Sequence, residues 1–303
     1  MRMKNVLRGA GLAMIGTLAM GAMAMAQDVG VPEPWGLGYQ PAATEVASRQ
    51  HGLTAGLHWV AFGITLFVTV LLAYTCWRFS EKRNPEAKRF SHNTAIEVAW
   101  TVVPVVILVA IAVPSIRYLY FQETVPPAGV TVKAIGKQWY WTYEYELEGE
   151  TVSYDSYMAG GQNHPTYEVM KAAMENDGAS PDEIPPEALW KLKTDAPMVV
   201  PVDTNIRVQV TAEPTGVLHA FAMPSFGVKA DAVPARLNEL WFEAKQIGTF
   251  YGQCSELCGP LHAYMPIEVQ VVSRADFESR LSEVAGLKPK GETKLADAAD
   301  TAQ

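Results

Sequence analysis

The sequence predicts a two-helix transmembrane hairpin followed by an all-β module of Greek-key or sandwich type. Two apolar runs, Leu57 to Phe79 and Ala95 to Phe121, each exceed the roughly 20 residues needed to cross a bilayer. The short loop between them is rich in Lys and Arg. From Val130 onward the texture changes to short alternating segments of β-branched and aromatic residues. Pro, Gly and Asp part these segments, as turns part strands.

Residues 1–26 begin with Arg2, Lys4 and Arg8 and no acid, continue through a short Ala/Gly/Met-rich run, and end on Ala24-Met25-Ala26. That is the pattern of a secretory signal peptide, and it fits better than a first membrane helix, because the run is short and built of small residues. Residues 27–56 contain Pro and Gly without helical periodicity and read as an extended arm. The hairpin follows, as helix 57–79, loop 80–94 and helix 95–121. At the loop, Arg78, Lys82, Arg83, Lys88 and Arg89 outnumber Glu81 and Glu86, which places it in the cytoplasm. Both ends of the hairpin then face outward, in agreement with an export signal. Trp59, Trp77, Trp100, Tyr118 and Tyr120 sit near the ends of the runs, as interfacial aromatics do. Pro104 and Pro114 are tolerated in a membrane helix. Cys76 reads as a small apolar thiol within the first span.

The β module occupies residues 128–275. VTVKAIGKQWYWTYEYEL, TNIRVQVTAE, ELWFEAK and PIEVQVVS read as its strands, and the acidic stretch of about 164–197 as a helical or irregular insertion. Residues 276–303 comprise one amphipathic helix and a polar, Ala-rich tail expected to be disordered. From Ala128 to Gln303 there are 25 acidic and 14 basic residues, a net charge of −11. This argues against a nucleic-acid partner and points to a basic soluble one, steered in electrostatically.

The chemistry lies in YGQCSELCGPLHAYMP. Cys254, Cys258 and His262 follow at four-residue intervals, and Met265 comes three later. A second imidazole, His219 in GVLHAF, is read at the end of the strand TNIRVQV. Thiolate, imidazole and thioether are soft donors that select copper, whereas magnesium and calcium want oxygen and zinc rarely takes a thioether. Singly, each residue has an ordinary explanation: a strand-end histidine, a core methionine, a disulfide or a zinc pair in an exported protein. Together they make a complete ligand set. One His, Cys, His and Met would be a blue-copper arrangement, and the extra cysteine changes it. Two thiolates can bridge two copper ions with one imidazole terminal on each, and the shared electron then moves with little change in bond length.

CSELCGPLHAYMP, GKQWYWTYEY, the hairpin and the leader together resemble subunit II of bacterial haem–copper cytochrome c oxidase, over nearly the whole stretch from Leu57 to Ser273. The resemblance implies a cupredoxin-like outer domain bearing a dinuclear CuA centre. Its ligands are then His219, Cys254, Cys258, His262, Met265 and the backbone carbonyl of Glu256. The Glu256 side chain would reach a magnesium ion shared with subunit I. Cytochrome c is the implied electron donor and haem a of subunit I the acceptor, with subunit III a further partner and oxygen reduction coupled to proton pumping. The implied location is the inner membrane, with both termini and the copper domain in the periplasm. The resemblance assigns Trp139 the exposed indole through which the electron is taken up. It places Glu97 at the mouth of a proton channel and Arg236 at the subunit I interface. Without it, Trp139 reads as sheet surface, Glu97 as a headgroup contact and Arg236 as half of a surface ion pair. Ala220, where the family usually has a polar residue, and Gly216, where many members carry an acid, depart from the pattern. Glu144, Glu146, Glu148, Glu150 and Asp155 flank Trp139 instead. A quinol oxidase subunit would lack these copper donors, and a nitrous oxide reductase would lack this hairpin.

Overall fold

The computed structural model describes residues 28–86, 91–147, 149–181 and 183–286. The expected signal peptide, Lys88, Arg89, Glu148 and the polar tail lie outside them.

Two long helices carry the apolar runs: α1, Glu45–Arg78, and α2, Thr94–Glu123. Both are long and apolar enough to cross a membrane. Helix α1 starts well before Leu57, so the extended arm expected over residues 27–56 is corrected: only its first part is non-helical. The reason is local and tertiary together. Thr44 caps the helix by accepting from the Ala47 N–H at 3.0 Å, and donates its own hydroxyl to the Phe226 carbonyl at 2.7 Å. At 34 residues, α1 runs about 51 Å, well beyond a hydrocarbon core of about 30 Å. Its first turns therefore stand outside the apolar layer and pack on the β domain.

That domain is a sandwich of two sheets. One has the order β4 (Glu150–Ser156), β3 (Tyr140–Leu147), β2 (Val130–Lys137), β6 (Asn205–Ala212) and β9 (Asn238–Glu243). The other has the order β5 (Met198–Pro201), β11 (Pro266–Val272), β10 (Gly248–Cys254), β7 (His219–Met223) and β8 (Val228–Ala232), with β1 (Asp28–Gly30) added beside β10. The pairing is mixed: β2 runs parallel to β6, and β5 parallel to β11, while the hairpins β2–β3 and β10–β11 are antiparallel. With the hairpin before it, this is the expected two-helix anchor and cupredoxin-like all-β domain. The VTVKAIGKQWYWTYEYEL run folds back on itself as β2 and β3, turning at Gln138 and Trp139.

Alternation explains the core. Along β6, Ile206, Val208, Val210 and Ala212 face inward and the residues between them outward. Trp141, Tyr143, Phe221, Phe242 and Val269 are fully enclosed between the sheets. Two short elements complete the chain: α3 (Tyr167–Asn176) inside the 164–197 insertion, and α4 (Phe277–Val284), which buries Phe277 and Leu281.

The domain is seated on the helix ends. Val46 and Ala47 are buried, and Gly227, at φ +69°, comes so near that a Cβ would lie 2.6 Å from the Ala47 Cα. The Trp241 indole donates to the Gln122 carbonyl at 3.0 Å and meets the Phe121 ring edge-on.

Candidate metal centre

One end of the second sheet gathers the soft donors. Cys254 is the last residue of β10, and the loop from it to Pro266 carries Glu256, Cys258, His262 and Met265. His219 is placed differently from its sequence reading. It opens β7, in the second sheet beside β10, rather than ending β6 of the first sheet, because the chain turns through Glu213–Leu218 between them. Pairing of Cys254 with Phe221 then sets it beside the first cysteine.

The distances form two linked pairs. Cys254 Sγ lies 3.9 Å from His219 Nδ1, and Cys258 Sγ lies 3.4 Å from His262 Nδ1. The two sulfurs are 3.9 Å apart, far beyond a covalent S–S bond of about 2.05 Å, and both cysteines are free thiols. Met265 Sδ approaches Cys258 Sγ at 3.5 Å. The Cys254 thiol donates to the Glu256 carbonyl at 3.3 Å. Candidate donor atoms of His219, Cys254 and Cys258 all lie within 4.8 Å of one another.

The surroundings hold these groups and keep water out. Cys254, Cys258, Met265 and His219 are buried, and His262 is half-buried. Gly136 makes room for His219, since a Cβ there would come within 2.8 Å of the imidazole. The ring of Trp141 meets the same imidazole edge-on at 6.1 Å. Burial, helped by the nearby His262 ring, pushes the His219 pKa down to about 4. Burial, helped by neighbouring Cys254, pushes the Cys258 thiol up to about 12. A cation that binds these groups must displace the Cys258 thiol proton.

The donors fit copper. Two free cysteine sulfurs lie 3.9 Å apart with no disulfide between them, each beside the Nδ1 of an imidazole. Soft donors gathered this closely suit a soft cation.

Other sequence-selected residues fall into three places. Trp139 lies against the metal loop, half-buried rather than exposed as the resemblance implied; its indole donates to the Cys258 carbonyl at 2.9 Å. Glu97 is at the opposite end of α2, in its first turn, where its carboxylate accepts from the Asn93 N–H at 3.2 Å. Arg236 is exposed, and no ion pair involves its side chain among the described residues. Of the acids near Trp139, Glu144 pairs with Lys133 at 2.9 Å and Asp155 with Lys137 at 3.7 Å, so part of the steering charge is neutralised on the same face. Gly136 and Trp141 escaped the sequence reading. A glycine inside a strand was the available signal for the first; Trp141 offered only its place in an aromatic run.

A two-sheet β domain on a two-helix anchor, with paired thiols and imidazoles at one end, defines a membrane-anchored, cupredoxin-like protein with a copper-type site. The family described as "Cytochrome C oxidase subunit II, periplasmic domain" matches residues 130–272, and its "transmembrane domain" matches residues 32–118. The cytochrome c oxidase subunit 2 of Cereibacter sphaeroides is 46% identical over 295 residues, covering 94% of both chains. That of Arabidopsis thaliana is 39% identical over 255 residues, covering 82% of this chain and 90% of its own. The solved periplasmic domain of subunit II from Bradyrhizobium japonicum is 45% identical, covers 54% of this chain and 98% of its own, and superposes with a TM-score of 0.41. The chain belongs to the cytochrome c oxidase subunit II family. It is thereby a membrane-bound component of a haem–copper oxidase, an oxidoreductase that works with further subunits.

Proposed function

We propose that this chain takes electrons from cytochrome c at a dinuclear copper centre held by His219, Cys254, Cys258, His262, Met265 and the Glu256 carbonyl. It passes them to haem a of subunit I. The observation that carries the reading is the pairing of each buried thiol with its own imidazole, two sulfurs between two rings, which suits two metal ions better than one. Copper bound there supplies a one-electron couple.

The chain's own residues prepare the site for that couple. Strands β10 and β11 hold the two ends of the loop, and Trp139 from the β2–β3 turn lies against it; a site that does not rearrange when its charge changes transfers charge at low cost. Met265 and Cys258 close the inner side against water, and Trp141 and Gly136 fix the plane of His219. Trp139 joins the outer face of the domain to the Cys258 backbone through one hydrogen bond, and this is the proposed route of electron uptake.

The remaining assignments rest on the resemblance and on charge placement. The basic loop after α1 and the export-type leader favour the β domain and both termini on the periplasmic side. The Glu256 side chain would contribute to a magnesium site completed by subunit I. Glu97 would serve proton supply at the cytoplasmic end, in a complex that pumps protons and includes subunit III.

The reading is tested on the purified oxidase. Two coppers per chain and a near-infrared band with a mixed-valence resonance signal are expected, and one copper or a Cys254–Cys258 disulfide overturns it. In rapid mixing, Trp139→Phe should slow reduction by cytochrome c with little change in binding; an unchanged rate removes the indole from the route.

A further inference from the structure

The insertion between β4 and β5 does more than fill sequence. It leaves the sheet at Tyr157, crosses the metal end of the domain, and returns at Pro197. Its base is firmly tied: the Ala159 N–H donates to the Lys193 carbonyl at 2.9 Å, and Asp195 accepts from the Tyr157 N–H at 2.8 Å. The Thr194 N–H donates at 2.6 Å to Glu268, a buried carboxylate on β11. From this base the insertion makes two contacts with the metal loop. Lys191 places its ammonium 4.2 Å from the centroid of the Tyr264 ring. Half-buried Gln162 directs its amide nitrogen to two carbonyls at once, that of Trp139 and, at 2.9 Å, that of Tyr264.

These contacts close a ring around the proposed route. Trp139 is held at its indole by the Cys258 carbonyl and at its backbone by Gln162. Tyr264, held by the same amide, lies between His262 and Met265. Gly259, at φ +120°, lets the indole come close to the loop, because a Cβ would stand 2.9 Å from the Trp139 ring. Without Gln162 the β2–β3 turn, whose Gln138 is exposed, would rest on the loop through the single indole hydrogen bond. An amide has two N–H donors, and both are used here, so no shorter or acceptor-only side chain reproduces the link.

We infer that Gln162 is a positioning residue for electron uptake: it locks Trp139 in register with the loop that carries Cys258, His262 and Met265. The inference rests on the uptake route proposed above. Gln162 does not touch the donors, so its loss loosens the indole while the metal site stays intact.

The test compares Gln162→Leu, Gln162→Glu and Trp139→Phe in the assembled, copper-loaded oxidase. Each is reduced in rapid mixing either by cytochrome c or by dithionite, a small reductant that needs no docked indole. Both Gln162 variants should slow reduction by cytochrome c about 3- to 10-fold, less than the roughly 100-fold that a 1 Å misplacement can cost. Apparent KM for cytochrome c, the near-infrared band, copper content and the dithionite rate should stay at wild-type values. If Trp139→Phe is slow while both Gln162 variants match wild type, the inference falls and the uptake route stands. If Trp139→Phe also matches wild type, the route itself falls and the inference with it. Copper loss or an equally slowed dithionite reaction in the Gln162 variants would make Gln162 a structural part of the loop and overturn its positioning role.

Discussion

No residue of the apolar windows in α1 and α2 is buried by the chain itself, whereas the β domain encloses Trp141, Tyr143, Phe221 and Phe242 completely. Leu66, Phe67, Leu72, Val106 and Leu108 lie open along the hairpin. In water such a surface would be a fault; in a bilayer, lipid and neighbouring helices cover it. The difference teaches where each half gets its stability. The sandwich closes its own core and orients its own donors, and the hairpin depends on surroundings that other molecules supply.

The largest expected effect tests the self-sufficient half. Cys254→Ser or Cys258→Ser should lower copper affinity more than the about 10- to 100-fold typical of losing a mere supporting contact. Metal analysis of the membrane-extracted chain checks this, and insertion of the hairpin should be untouched. Full copper with an unaltered near-infrared band in either variant would mean the thiols are not the centre of the site.

Residues 128–286 expressed alone sharpen the comparison next. They should give a soluble domain with a cooperative melt and bound copper, while the whole chain needs detergent. A domain that fails to fold would show that the seat made by Val46, Ala47 and Phe121 is required, and that the halves are less separable than their burial suggests.

A smaller effect probes the far end of the hairpin. Glu97→Ala should slow steady-state turnover several-fold with the copper spectrum unchanged. The carboxylate also closes the first turn on Asn93, so a stability loss of up to about 1 kcal/mol is expected from the cap alone. Full turnover in the variant would reduce Glu97 to that capping role.

The smallest effect sits at the junction. Thr44→Ala removes a helix cap and a hydrogen bond to the Phe226 carbonyl, and should cost about 1 kcal/mol. Calorimetry of the whole chain should show a lower Tm for the β domain and the same copper content. An unchanged Tm would mean that the seat contributes nothing to the domain.

Much of this molecule was legible before its structure. The hairpin follows from hydropathy, which is a property of consecutive residues. The metal loop does too, since Cys254, Cys258, His262 and Met265 stand within twelve positions of one another. The strands of β2, β3, β6, β9 and β11 were visible in their alternation. The first turns of α1 were not, because reading apolar runs finds the part in lipid and passes over polar turns that fold against a domain. Nor was the strand of His219, because five short residues after a turn carry little periodicity.

By itself the sequence determined which donors exist, how they are spaced in the loop, and which segments cross the membrane, because those are local properties of composition and order. Tertiary structure alone decided that His219 faces Cys254 across 35 positions, that Trp141 and Gly136 brace its ring, and that Gln162 joins Trp139 to Tyr264. Such contacts depend on which strands pair and where an insertion returns. Sheet pairing is set by the packing of the whole core, and no local pattern encodes it.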